Sequence, residues 1–66
     1  MFARIIDEKQ INQTRLLILD RNLQKEIGDN VKIDGKIFSR LDLYDLSNAV
    51  AIECPQNTNS FVGKTI

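Results

Sequence analysis

Four residues near the middle of the chain have side chains suited to recognition chemistry. Lys36, Phe38, Arg40 and Tyr44 have even numbers within one predicted strand, with Asp42 between them. Alternate residues of a strand point to the same side, so the four share a face. An arginine and aromatics exposed on one sheet face can stack nucleobases or anchor a protein partner. The same residues also suit a plain structural role, with Phe38 and Tyr44 turned inward and Arg40 at the rim. The opposite face carries Ile37, Leu41 and Leu43, which must be buried in the core or in a subunit interface.

Three other groups of residues could carry chemistry, and each has a structural reading that fits better. Val62-Gly63-Lys64-Thr65 contains the end of a phosphate-binding loop. The full pattern requires a glycine at position 58, which is Thr58, and a helix after the loop, where only Ile66 follows. Cys54 could act as a nucleophile, but catalysis needs a base or a positive neighbour to form the thiolate. The chain has no histidine, and Cys54 lies between Glu53 and Pro55. It shares parity with Val50 and Ile52, which makes it a small buried apolar residue. Asp29, Asp34, Asp42 and Asp45 do not follow the ligand spacing of a calcium loop and suit turns and solvated positions. One Cys and no His leave a four-ligand zinc site without ligands, so no metal and no cofactor is expected. Glu26 and Glu53 form no recognisable acid–base pair.

Composition narrows the function classes. Nine basic and nine acidic residues cancel over 66 residues, and both signs are spread along the chain. A protein built for non-specific grip on nucleic acid usually has a basic surplus, because counterion release supplies that affinity. No window approaches the roughly 18 apolar residues of a membrane span, and the N-terminal residues lack the apolar region of a signal peptide. A lone reduced thiol suits the cytoplasm. A chain of this length forms one domain, residues 1–66, with a thin core and a stability of roughly 3–5 kcal/mol. A partner subunit is one common support for such a core.

The elements that must position these residues are mainly strands. Phe2 to about Glu8 and Thr14 to Asp20 form the first two. Leu16-Leu17-Ile18-Leu19 is an unbroken apolar run, as expected of a strand buried on both faces. Asn22 to Ile27 reads as a short helical turn, with Leu23 and Ile27 on one side and Gly28 as its end. Val31–Ile33 and Lys36 to about Tyr44 flank Asp34-Gly35, a strong signal for a type I′ hairpin. Ala49–Cys54 is the next strand, ended by Pro55. Phe61–Ile66 is a last short strand whose edge could pair with a second copy. An alternative puts a helix over residues 7–27, because Leu16, Leu19, Leu23 and Ile27 also fall at helical spacing.

Five or six short strands and the Gly28-Asp29-Asn30-Val31-Lys32-Ile33 run resemble the SH3-like and OB-like barrels. The resemblance covers a tenth of the chain and carries no functional residues. The expected fold is therefore mainly β: a small antiparallel barrel or strongly bent sheet with one helical turn near 22–27. The alternative is an α+β domain with a helix at 7–27. The expected role is a small cytosolic, non-enzymatic binding or assembly module, acting as a homodimer, with a protein partner possible at Lys36, Phe38, Arg40 and Tyr44. A nucleic-acid-binding barrel using the same four residues is the alternative, and an enzyme with a site shared between subunits ranks below both.

Overall fold

The computed structural model describes residues 3–22, 27–41 and 48–66. It forms one five-stranded antiparallel sheet from β1 (Ile5–Ile11), β2 (Thr14–Leu19), β3 (Asn30–Ile33), β4 (Lys36–Leu41) and β5 (Ala49–Glu53). The spatial order is β1-β2-β5-β4-β3. β1 and β3 are therefore the edges, and the sheet is not closed into a barrel.

Two tight turns fix the register. Asp34 and Gly35 both have positive φ, 53° and 81°, which is what a type I′ hairpin requires of its central residues. The turn pairs Ile33 with Lys36 and Val31 with Phe38. The β1–β2 hairpin also has a two-residue loop, pairing Ile11 with Thr14 and Gln10 with Arg15. Asn12 takes the left-handed conformation there, φ 54°, and Asn tolerates it better than most residues. The Gln10 side-chain amide donates to the Asn12 carbonyl at 2.6 Å and holds the turn.

Alternation along the strands sorts the side chains onto two faces. The inner face carries Ile5, Leu17, Leu19, Val31, Ile33, Val50 and Ile52, all buried. The segment after β5 packs on this face and adds Cys54 and Phe61 to the same core, and Ala3 joins it from the N-terminal side. Each fully buried aliphatic contributes about 1.5–3 kcal/mol relative to exposure. For a domain worth roughly 3–5 kcal/mol in total, no single member is dispensable. The outer face has Ala49 and Ala51 buried between half-buried Leu16, Ile18 and Leu41.

Residues 61–66 form no strand of their own. They are tied back to the start of β1: Ile5 N–H donates to Lys64 O at 2.9 Å, Gly63 N–H to Ile5 O at 2.8 Å, and Ile66 N–H to Ala3 O at 2.9 Å. A single bridge joins Arg4 to Thr65. The polar groups expected to await a second copy are thus partly used within the chain.

The helix expected as an alternative over 7–27 is overturned, because β1 and β2 occupy residues 5–19. β2 is an interior strand, hydrogen-bonded along both edges by β1 and β5, and apolar on both faces. Leu17 and Leu19 point inward, while Leu16 and Ile18 point outward and are half-buried. A run buried on both sides mimics helical spacing without being helical. The expected helical turn falls largely on residues 23–26, outside the described residues, as do Leu43 and Tyr44. Cys54 lies in the core beside Val50 and Ile52, as its parity requires. Ile37 does not: it is 69% exposed on the outer face.

Candidate functional site

The polar centre of the inner face lies where β1 and β2 pair near their hairpin. Glu8, Gln10 and Arg15 share this face because Glu8 pairs with Leu17 and Gln10 with Arg15. Arg15 is only 3% exposed, and burying a cation costs heavily unless it is paired and hydrogen-bonded. Arg15 meets both conditions. Its Nε donates to Gln10 Oε1, its Nη1 to the Asn59 carbonyl and its Nη2 to the Thr58 carbonyl, each at 2.7 Å. The Glu8 carboxylate lies 3.5 Å from Nη1. The guanidinium also sits over the Phe61 ring, 5.0 Å from its centre, within cation–π range.

Glu8 and Gln10 extend the same network. The other Glu8 oxygen accepts the Phe61 N–H at 2.6 Å. Gln10 Nε2 also donates to the Cys54 carbonyl at 2.9 Å. The loop of residues 57–61, which has no regular structure of its own, is thereby held at Thr58, Asn59 and Phe61. Among the described residues no buried side-chain nitrogen or oxygen lacks a partner.

The far side of this loop forms a groove of about 450 Å³ against the β3–β4 turn. Ile33 and Phe61 lie at its base, but at 0% and 6% exposure they are buried, so the residues around them supply nearly all of its accessible surface. Lys36 and Lys64 line it with Asp34 between the chain segments, and residues 57–60 form the opposite wall. Lys64 Nζ lies 3.3 Å from Asp34 Oδ2, an exposed ion pair of small energetic weight. Lys36 is exposed and has no carboxylate partner among the described residues. Arg15 does not line the groove, so the loop stands between the two.

The four residues singled out from the sequence are only partly brought together. Lys36 reaches the groove. Phe38 is half-buried and packs edge-to-face on Phe61, with ring centres 5.3 Å apart and planes at 67°. Its ring therefore supports the groove floor rather than standing free for stacking. Arg40 is half-buried and donates from Nη1 to the Ile27 carbonyl at 2.9 Å. Its backbone N–H donates to Asp29 O, so this residue ties segment 27–29 to β4. Tyr44 lies outside the described residues.

Arg15, the residue with the most unusual surroundings, was not singled out from its type and position. Part of the signal was present: a two-residue turn at Asn12-Gln13 places Gln10 opposite Arg15. The loop carbonyls that cover the guanidinium lie more than forty residues away in sequence, and no local pattern reveals them. Of the candidate metal ligands, Asp29 and Asp34 are described. Among the described residues no three acidic, Cys or His side chains gather closely enough to hold a metal ion. No helix among them is long and apolar enough to cross a membrane.

At the other end of the β1–β2 pair, Asp20 accepts the Arg4 N–H at 3.0 Å. That backbone hydrogen bond, with the charge of Arg21 beside it, holds the Asp20 carboxyl below its ordinary value of 3.8.

No protein-family model matches this chain significantly, and neither a curated protein nor a solved structure does. The functional reading therefore rests on the geometry of the chain itself.

Proposed function

We propose that this chain is a small, non-enzymatic binding or assembly module acting in the cytoplasm, and that the groove between the β3–β4 turn and loop 57–61 is its binding site. The observation that supports this reading is the division of labour around the loop. Arg15 and Glu8 fix it from the core side, at a depth where a buried charge has to be fully satisfied. Its other side is left open as a concave surface on which polar and charged groups converge above a buried apolar base. The held loop needs little ordering when a ligand arrives, which favours affinity.

A protein-observed magnetic-resonance screen with small carboxylic acids, phosphate esters and neutral aromatics tests this reading. Binders are expected to shift the signals of Ile33, Phe61 and loop 57–61 together. Binders scattered over other surfaces, or no binders at all, contradict it.

A second copy of the chain is the proposed assembly partner. Its support is Ile37, the most exposed of the large apolar residues described. Ile37 lies on the outer face of β4, paired with Lys32 of edge strand β3, where an unpaired strand edge can accept another strand. Light scattering coupled to gel filtration is expected to give twice the 7.6 kDa chain mass, with an absorbance ratio free of nucleic acid. Ile37→Lys is expected to shift that mass toward one chain. A wild-type monomer at micromolar concentration removes the homodimer. A complex with nucleic acid that dissolves in high salt favours the nucleic-acid alternative instead.

A further inference from the structure

We infer that the groove takes an oxyanion, a carboxylate or phosphate group on a small ligand, and that the Asn59 and Ser60 backbone amides bind it. The inference deepens the reading of the groove as a binding site and rests on it. Its starting point is the direction of two peptide groups. The Thr58 and Asn59 carbonyls both point to the Arg15 guanidinium. The described peptide bonds are all trans, and in a trans peptide the N–H points opposite to the C=O. The N–H groups of Asn59 and Ser60 are therefore both turned away from Arg15.

That direction is toward the groove wall, because Asn59 and Ser60 line the groove and Arg15 does not. Neither N–H donates to another group among the described residues: the neighbouring loop bonds begin from Thr58, Phe61 and Val62. Two adjacent outward amides form an anion-binding concavity of the kind that successive backbone N–H groups provide. Lys36 and Lys64 add positive charge on the facing side. Asp34 subtracts one charge, and its pairing with Lys64 leaves Lys36 as the uncompensated cation. The buried cation on the other side of the loop orients both peptides further.

This arrangement is not the phosphate loop suggested by Gly63-Lys64-Thr65. That loop holds phosphate at a helix N-terminus, whereas here the amides belong to an irregular segment held by a buried arginine. Lys64 is common to both, but at the groove it is a neighbouring charge only.

The test is an amide-resolved titration of ¹⁵N-labelled protein at constant ionic strength, with inorganic phosphate, acetate and benzyl alcohol as separate probes. Saturable shifts at Asn59 and Ser60 with phosphate or acetate are expected, and the stronger of the two tells whether phosphate or carboxylate is preferred. Lys36→Ala is expected to weaken binding by roughly fivefold and Lys64→Ala by less, while Lys9→Ala on the outer face of β1 leaves it unchanged. Shifts that never saturate, or that ignore Lys36→Ala, overturn the oxyanion assignment. So does a response to benzyl alcohol alone, although the groove then stands as a binding site. No response at the groove to any of the three probes removes both the assignment and the groove reading.

Discussion

Removing the Arg15 guanidinium should nearly unfold this domain. The side chain is 3% exposed and makes three hydrogen bonds of 2.7 Å, to Gln10, Asn59 and Thr58. In Arg15→Ala the half-buried Glu8 carboxylate loses its counter-charge, and breaking a buried pair in this way costs about 3–5 kcal/mol. The two loop carbonyls belong to Thr58, which is half-buried, and Asn59, which is exposed. Water can reach them once the loop loosens, which places the cost near the lower end, about 3 kcal/mol. A domain of this length has only about 3–5 kcal/mol to lose. In Arg15→Lys the charge opposite Glu8 remains, but an ammonium cannot reproduce the planar fork that spans two carbonyls. That variant should lose about 1.5–2 kcal/mol. Urea denaturation followed by circular dichroism measures both, and the midpoints should rank wild type, then lysine, then alanine. An Arg15→Ala midpoint within about 1 kcal/mol of wild type would refute the reasoning, since it would mean the surface of the loop is held by something else.

Three further predictions follow from the same structure. Phe38→Ala should cost about 2–3 kcal/mol in urea denaturation, because it removes a half-buried ring and its edge-to-face contact with Phe61. Gly35→Ala should cost about 1–2 kcal/mol although nothing lies within 4 Å of the added carbon, since φ of +81° strains any side chain; an unchanged midpoint would show that the hairpin turn is not type I′. Asp20 has a lowered folded value, so its charge stabilises fully above the ordinary value of 3.8 and loses that effect as pH falls through the folded value. The stability gap between wild type and Asp20→Asn should therefore be constant at neutral pH and shrink below about pH 4; a gap that widens with acid contradicts the assignment.

The legible part of the fold was the part set by local geometry. Asp34-Gly35 announces its hairpin because few other pairs accept two positive φ angles. Val31, Ile33, Val50, Ile52 and Cys54 alternate with polar or outward residues, and each went to the core. Leu16 to Leu19 is harder to read, because a strand apolar on both faces has no polar stripe and its spacing also fits a helix. That the sheet stays open, with β1 and β3 as edges, and that the last residues pair with the start of β1 depend on contacts between distant segments, and the sequence carries no local trace of them. The same limit applied to the site. Lys36 could be placed on the right face by parity alone. That Phe38 turns to meet Phe61, and that Arg15 is buried under the 58–59 carbonyls, depends on where residues 57–61 cross the sheet.

The groove exists before any ligand binds, because Arg15 and Glu8 hold loop 57–61 from beneath. Backbone ¹⁵N relaxation of the unliganded protein tests that most directly. Order parameters for residues 57–61 near those of the strands, about 0.85, are the predicted result. Values below about 0.6 across the loop would mean that the groove is not preformed, and the binding reading built on it would fall.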